Sequence, residues 1–333
     1  MGVVKPNEFW NLFSVVDMAD YLHNHPDFAA LLRIVGNELQ IEPILVEKDY
    51  WIMHVLYGLK QLNFNFELKG GTSLSKGYHI IDRFSEDIDI HFKPPAVFEI
   101  NENPKNNKPR NIEARRKFYN WLAESLKING IVSVTRDTDF DDTKSYRSGG
   151  VRLHYQSHTE VKDGIKDGIL LEAGFDQMTP NTLINISSWA YAKAIQQGVA
   201  ILDNRAPAIA CYHPGYTFVE KLQTVATKFR QEQESMIERQ NLMRQYYDIY
   251  CLLKNEEVQD FIGTEAYLAH KRERFPAVDF DLPIAENEAF LLGNAAIRTR
   301  FIERYKATAP LYYKGQPDFE EMLLEIGKWV GRL

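Results

Sequence analysis

The sequence is poor in cysteine and in long apolar runs. Its 333 residues hold two cysteines, Cys211 and Cys251, too few for a disulfide framework or a zinc knuckle. We therefore expect both to be buried thiols in a reducing compartment. No apolar run approaches the roughly 18 residues that a membrane helix needs. The N-terminus contains Glu8 and no basic segment, unlike a signal peptide. We expect a cytoplasmic protein with no membrane partner.

The sequence also lacks an excess of positive charge. Its formal net charge is −7, so any contact with nucleic acid must come from a local basic patch rather than from the whole surface. Two basic clusters, at residues 105–117 and 271–274, are candidates for binding an RNA backbone, although such clusters are commonly solvated surface. The hydrophobic content of 44% and the length predict an ordinary globular chain of two domains.

Several common motifs are missing as well. There is no P-loop, no G-x-G-x-x-G and no convincing G-x-S-x-G. The acidic stretch 137–142 has Asp142 and Ser148 where a calcium-binding loop needs glycine and glutamate. His154 and His158 fall in a predicted strand and loop, so they do not share a helix face as zinc ligands would.

The most informative stretch is residues 64–92, which ends in an alternation of acidic and apolar residues. In a strand, Asp87 and Asp89 share one face while Ile88 and Ile90 point into the core. Adjacent carboxylates repel each other unless a cation lies between them, and oxygen ligands favour Mg²⁺ or Mn²⁺. We interpret Asp87 and Asp89 as metal ligands; the alternative is a strand face that only meets water.

The same stretch contains a glycine-rich turn. Gly70 and Gly71 follow a predicted strand, and their lack of a Cβ lets backbone amides approach a bound group closely. Thr72 and Ser73 add hydroxyl groups, and a helix that begins near Thr72 would offer further unpaired amides to an anion. The turn and the acidic strand together predict a site for metal-bound phosphates.

A third acid lies farther along the chain. Glu172 interrupts the apolar strand 168–175, where an unpaired carboxylate would be costly. It is the candidate for completing the acidic site. Two alternatives stay open: Glu172 faces solvent from an edge strand, or Asp176, just past the strand, takes the role.

The motifs GGTSLSK and RFSEDIDI at this spacing resemble the polymerase-beta type of nucleotidyltransferase. More closely, they resemble the AbiEii/AbiGii-type toxins of type IV toxin–antitoxin systems. The sequence EKDY at Glu47–Tyr50, FVEKL at 218–222 and RQYYDIY at 244–250 resemble flanking motifs of that family. The resemblance covers about Glu47 to Tyr250.

The resemblance implies a metal-dependent nucleotidyltransferase that uses an NTP. Asp87, Asp89 and Glu172 would hold the metal, and Asp248 would join them as a catalytic residue. The resemblance also implies phosphate contacts by Lys221, in addition to the glycine-rich turn.

Charged residues near these motifs are further candidates for the site. Lys76 and Arg83 are expected to contact phosphate, although one of the two could be structural. Asp248 needs a cationic partner, either Lys221 or Arg244. Gln245 stands where the family usually has an acid, so the role of that acid is in doubt.

The EKDY segment has two interpretations. Lys48 and Asp49 lie on a predicted helix and could form an ordinary solvated face. The family resemblance instead indicates that they face the nucleotide or shape its site.

The resemblance and the periodicity together predict an α/β fold, with a nucleotidyltransferase core sheet between an N-terminal helical layer and a C-terminal helical domain. The predicted ranges are 1–60, 61–210 and 211–333. The predicted helices are 15–22, 28–39, 44–59, 111–129, 218–231, 240–253, 264–270, 286–305 and 318–330. The predicted strands are 64–68, 131–135, 146–156 and 168–175.

The acceptor implied by the resemblance is RNA, such as the 3′ end of tRNA, with an antitoxin as partner. Two alternatives stay open: nucleotide transfer to a small molecule or protein, and a silent nucleotide-binding module. The intact acidic pair argues against the silent module.

Overall fold

The computed structural model describes residues 19–103, 106–160, 166–175, 179–239 and 241–333. These residues form a seven-stranded mixed sheet in the order β3-β4-β5-β2-β1-β7-β6. The strands are β1 (Phe66–Lys69), β2 (Asp87–Phe92), β3 (Ile131–Asp137), β4 (Ser148–Tyr155), β5 (Ile169–Gly174), β6 (Asn181–Ile186) and β7 (Ala206–Tyr212). The two central pairs β1–β7 and β2–β5 are parallel, whereas β1 and β2 are antiparallel.

Helices precede, interrupt and follow the sheet. The helices are α1 (Phe28–Leu39), α2 (Pro43–Gln61), α3 (Gly70–Thr72), α4 (Pro109–Ser125), α5 (Trp189–Gln196), α6 (Pro214–Ser235), α7 (Leu242–Leu253), α8 (Glu256–Phe261), α9 (Glu265–Arg274), α10 (Ala277–Phe280), α11 (Glu288–Leu291), α12 (Ala295–Lys306) and α13 (Phe319–Trp329). The predicted α/β class is therefore confirmed. No helix in these described ranges is both long enough and apolar enough to span a membrane.

Helix α2 lies in the middle of the first hydrophobic core. It begins at Pro43, whose fixed φ suits a first helical position. Nearly all its residues are buried, including Trp51 and Met53, as expected for a helix that is apolar on most faces. This core also contains α1, α4 and the sheet, and it includes Cys211 on β7.

A second hydrophobic core is built mainly from residues after Phe218. It also includes Leu74 and Ile81, which lie between β1 and β2. The segment between these strands therefore packs into both cores. The predicted domain boundaries stay a prediction.

The loop after Ile81 is held by residues near the end of the chain. Arg83 forms an antiparallel bridge with Tyr312, and the Phe84 amide donates to the Leu311 carbonyl at 2.7 Å. Tyr313 donates its amide to the Asp82 carbonyl at 3.2 Å. The C-terminal region thus fixes the loop that leads into β2.

Most predicted elements are confirmed, with several corrections. The predicted helix 286–305 is wrong as a single helix, because Leu292 adopts a left-handed conformation with φ 43°. Asn294 then caps the new helix α12 by accepting from the amides of Ala296 and Ile297. Helix α4 ends at Ser125, earlier than predicted. The prediction missed β6, β7 and α5. Half of the predicted helix 15–22 lies outside the described residues; in the other half Asp20 forms a β-bridge with Ile201 and Leu22 begins a short 3₁₀ helix, so no α-helix forms there.

Candidate active site

Three carboxylates lie side by side on two neighbouring parallel strands. The register places Asp89 of β2 directly opposite Glu172 of β5, and Asp87 lies two residues before Asp89 on the same face. Because β5 lies between β4 and β2, the alternative that Glu172 occupies an edge strand is wrong. Asp176, the other candidate, lies outside the described residues.

Burial raises the pKa of each of these three carboxyls. At Glu172 the charges of Asp89 and Asp87 add to the effect of burial, and the pKa rises to about 8. At Asp87 the positive charge of Lys166 works against this rise in pKa, because Lys166 Nζ lies 3.8 Å from Asp87 Oδ2. The cluster therefore holds more negative charge than its surroundings readily stabilise, and a cation would relieve it.

The donor set fits a hard divalent cation that shares its ligands with substrate. Mg²⁺ and Mn²⁺ prefer carboxylate oxygens. Within the described ranges, no group of three or more His, Cys, Asp or Glu side chains is placed so that it could hold a metal ion. Mg²⁺ does not require such a group, because it is commonly bound by one or two carboxylates together with substrate phosphates and water.

The glycine-rich turn lies directly against this acidic cluster. Gly70 has φ +68°, and a Cβ at this position would overlap the Asp89 carboxylate. A Cβ at Gly71 would lie 2.6 Å from Ser85 Oγ and 3.0 Å from an Arg83 nitrogen. Both positions are too close to neighbouring side chains for a larger residue, so the backbone at the start of α3 approaches the acids closely.

The two hydroxyl groups after this turn are buried. Thr72 is buried, and its hydroxyl donates to the Asp87 carbonyl at 2.6 Å. Ser73 is buried beside the Cys211 thiol. Thr72 thus holds the start of β2 in place, and a phosphate contact by the hydroxyls of Thr72 and Ser73 stays a prediction.

Asp248 is the centre of a buried ion cluster. Arg83 binds it through two parallel hydrogen bonds of 2.7 Å, and Lys221 Nζ lies 3.0 Å from Oδ2. Burial raises the pKa of Asp248, but Arg83 and Lys221 outweigh burial, and its net pKa is lowered. Of the two partners expected for Asp248, Lys221 is correct, whereas Arg244 contacts Glu86 instead, at 3.4 Å. Gln245, in place of the family acid, lies partly buried on α7.

The cluster around Asp248 reaches the acidic site. The pKa of Asp89 is raised by burial and opposed by the nearby charges of Lys69, Lys221 and Arg83. Lys221 and Arg83 thus act on two carboxylates. They form ion pairs with Asp248, whereas they only partly offset the effect of burial on Asp89. This arrangement leaves positive charge available beside the acids.

Lys76 is bound to the protein. Its ammonium pairs with the buried Asp49 and lies 4.9 Å from the centre of the Trp189 ring. Asp49 also accepts the Trp189 amide at 2.8 Å, which ties it to the first turn of α5. The Lys76 ammonium thus has a protein partner in Asp49, and its predicted phosphate contact stays a prediction.

The EKDY residues are all buried, so the interpretation as a solvated helix face is wrong. Glu47 accepts from the Ser157 hydroxyl and the His158 amide, both at 2.7 Å. Lys48 donates to the Gly168 carbonyl at 2.9 Å, immediately before β5. These two side chains hold the segments that enter and leave the β4–β5 connection.

Sequence reasoning missed two cations of the site. Lys69 lies opposite Asp89 in the β1–β2 register, and strand alternation from the buried Leu68 would have placed it on the acidic face. Lys166 follows no periodic pattern, so no local feature predicts its contact with Asp87.

Residues 54–325 match the family described as nucleotidyl transferase AbiEii toxin, type IV TA system. The chain belongs to the AbiEii toxin family. No curated protein matches the chain. A solved structure with some similarity is an antigenic nucleotidyltransferase-like protein from Paracoccidioides brasiliensis; it shares 14% identity and a TM-score of 0.34, and the match covers 71% of this chain and 93% of that chain.

Membership of the AbiEii family makes the chain a nucleotidyltransferase and implies an antitoxin partner. The family match extends well past Tyr250, where the resemblance was expected to end. It begins at residue 54, so the EKDY segment lies just before the matched range.

Proposed function

We propose that this AbiEii-family chain transfers an NMP group from an NTP to a hydroxyl of an RNA acceptor in a metal-dependent reaction. The observation that carries the proposal is the pairing of Asp89 with Glu172, with Asp87 beside them and the Gly70 turn against them. Positive charge from Lys69 and Lys221 borders the same acids. This combination suits a polyphosphate bound together with a cation. We expect it to act in a reducing cytoplasm.

In this proposal Asp87, Asp89 and Glu172 would hold Mg²⁺ or Mn²⁺. Bound metal supplies charge stabilisation at the reacting phosphate. Backbone amides at the start of α3 bind phosphate oxygens, because the first amides of a helix have no partner within the helix. Lys221, fixed by Asp248 at 3.0 Å, provides a further positive charge for the triphosphate.

The acceptor hydroxyl attacks the α-phosphorus of the NTP. A new oxygen–phosphorus bond forms, the bond to the bridging oxygen breaks, and pyrophosphate leaves. Glu172, which lies opposite Asp89 on the neighbouring strand, takes the hydroxyl proton as the general base in this proposal. Arg83 and Asp248 act as positioning residues, because they contact each other and hold Lys221 in place.

The test is incubation of purified protein with Mg²⁺, each α-³²P-labelled NTP in turn and total tRNA. We expect label on RNA with the wild-type chain and none with Asp87→Ala or Asp89→Ala, while both variants keep the wild-type circular dichroism spectrum. The same variants should no longer arrest growth when expressed in cells.

Other outcomes would reject parts of the proposal. A fully active Asp89→Ala protein would remove the acids from the site. Label on the protein, or label that needs an added small molecule and no RNA, would replace RNA as the acceptor. Nucleotide binding without transfer to any of these acceptors would favour a silent module.

A further inference from the structure

A cleft of about 290 Å³ opens between the end of α6, the start of α7 and the end of α12. Its charged lining consists of Glu238, Arg239, Arg244 and Arg304. Leu242 and Met243 form part of its apolar floor. The balance of its lining is positive, which suits an anionic ligand.

Arg239 is held firmly in this cleft by its backbone. Its amide donates to Glu232 Oε1 at 2.5 Å, and its carbonyl accepts from Arg304 Nη2 at 3.2 Å. Its side-chain Nε, by contrast, is buried and has no hydrogen-bond partner among the described residues. A buried donor left without a partner is unfavourable, so this geometry favours a ligand that accepts from the guanidinium.

The neighbouring arginines are engaged to different degrees. Arg304 is committed to Glu232 through two bonds of 2.9 Å. Arg244 reaches Glu86 only at 3.4–3.5 Å, longer than a well-formed charged hydrogen bond. Arg239 therefore has the most capacity for an external anion, and Arg244 has some.

Helix α6 carries positive charge between the candidate active site and the cleft. Burial lowers the pKa of Lys228 on α6. The charges of Lys221 and Arg239 lower it further, whereas the charge of Glu172 raises it. Lys221 and Lys228 are seven residues apart, which corresponds to roughly 10 Å along a helix. Because seven residues are close to two helical turns, Lys221 and Lys228 lie on the same face of α6. Cations spaced along one helix face suit a chain of phosphates more than a single phosphate group.

We propose that Arg239, assisted by Arg244, binds a backbone phosphate of the RNA acceptor upstream of the hydroxyl that is extended. This inference rests on the proposed function for the identity of the acceptor. A phosphate of the NTP has the same chemistry, and the two sources are separated by which apparent affinity changes.

The test compares Arg239→Gln with wild type in binding of labelled total tRNA without NTP, over a series of salt concentrations. Arg239→Gln removes the charge without breaking an ion pair among the described residues, so it should fold normally. We expect a Kd for RNA about tenfold higher, and a salt dependence shallower by about 0.7 in log Kd against log salt, as for one lost phosphate contact. KM for NTP and kcat at saturating RNA should not change. Arg33→Gln, on the exposed face of α1, is the matched control and should change nothing.

Unchanged RNA affinity and salt dependence in Arg239→Gln would overturn the inference. A raised KM for NTP with unchanged RNA affinity would assign the cleft to the nucleotide and overturn it too. Loss of affinity in Arg272→Gln but not in Arg239→Gln would move the RNA surface to residues 271–274. If wild type binds RNA through Arg239 yet transfers no nucleotide to it, the proposed function fails while the cleft assignment stands.

Discussion

At the scale of single residues, the candidate site contains two opposite kinds of buried carboxylate. Asp248 has its charge matched by Arg83 and Lys221, and its pKa is lowered. Asp89 and Glu172 face each other, and their pKa values are raised. The first kind stabilises the fold, whereas the second is left ready for a ligand.

Asp248→Asn should destabilise the protein strongly. It removes the charge that neutralises Arg83 and Lys221 in a buried place, and breaking one partner of a buried ion pair costs about 3–5 kcal/mol. Urea unfolding would measure the change. Asp203→Asn is the matched control: Asp203 pairs with Arg205 at 2.6 Å, but both side chains are more than half exposed. Its loss should cost less than about 1 kcal/mol. Equal effects of the two changes would contradict the assignment of Asp248 as the buried centre.

Gly70→Ala should abolish nucleotide transfer. The new Cβ would displace the Asp89 carboxylate, in addition to straining a backbone with φ +68°. We expect a rate at least about 100-fold lower, because a misplacement of about 1 Å can cost that much. The loss of stability should be about 1–2 kcal/mol.

Gly198→Ala separates these two effects of Gly70→Ala. Gly198 has φ +74°, but nothing lies within 4 Å of a Cβ there. It should show a similar loss of stability and full transferase activity. Equal activity in the two variants would mean that Asp89 tolerates displacement.

Asp87 and Asp89 were predictable because they follow strand alternation. The cations that surround the acids of the site were predictable only in part. Asp87 and Asp89 stand out from Ile88 and Ile90 in any strand reading of the sequence. The contact of Arg83 with Asp248 joins residues 165 positions apart, and no local pattern encodes that distance. The cationic half of the site was therefore harder to predict than the acidic half.

At the scale of elements, helix α2 positions the strands of the site through side chains on several of its faces. Lys48 holds Gly168 before β5, while Asp49 holds Lys76 after α3. Two segments that carry site residues are thus attached to one rigid helix. A helix is suited to this task because it fixes the relative directions of its side chains.

Lys48→Met should impair both stability and transfer. The change keeps much of the buried hydrocarbon but leaves the Gly168 carbonyl without its donor, a loss of about 1–3 kcal/mol. Since β5 begins at the next residue, we expect kcat to fall while KM for NTP stays near its wild-type value. Lys60→Met on the same helix is the control, because Lys60 makes only a long contact of 3.4 Å to Ala208. Wild-type kcat in Lys48→Met would show that β5 needs no support from α2.

Strands β6 and β7 escaped prediction for a physical reason. β7 has the sequence APAIACY, whose small residues and Pro207 do not give a clear two-residue period. It pairs in parallel with β1, about 140 residues earlier, so its formation depends on tertiary contacts. β6 lies at the sheet edge with Leu183 exposed, and its apolar residues also lack strict alternation. Local patterns predict amphipathic helices better than such strands.

At the scale of the whole molecule, histidines in the first core link stability to acidity. His54 is buried, and its Nε2 lies 2.9 Å from the Asn129 carbonyl. Burial and the nearby His23 lower the pKa of His54 to about 4. The unfolded chain, with a histidine pKa near 6.5, binds the proton more strongly. The contribution of the neutral His54 to the free energy of unfolding is thus fully present above pH 6.5 and is lost as pH falls toward 4.

Wild-type protein should therefore lose up to about 3 kcal/mol from this group between pH 6.5 and pH 4. His54→Phe should remove that part of the pH dependence, whereas His158→Gln, at an exposed histidine, should not. Urea unfolding across this range measures both. An unchanged pH dependence in His54→Phe would assign the acid sensitivity to other groups.

The overall class was predictable, but the connection between the two cores was not. Helical periodicity after Phe218 and strand patterns before it indicated a sheet followed by helices. That Leu74 and Ile81 leave the sheet region and enter the second core follows only from three-dimensional packing.

The loop before β2 is held by residues that are made much later during translation, such as Tyr313. Tyr313 binds the Ile81 carbonyl across a separation of 232 residues. At roughly 5–20 residues per second, the ribosome needs tens of seconds to make the intervening chain. The growing polypeptide thus carries Asp87 and Asp89 long before the loop beside them is secured, because that contact forms only after Tyr313 has been made.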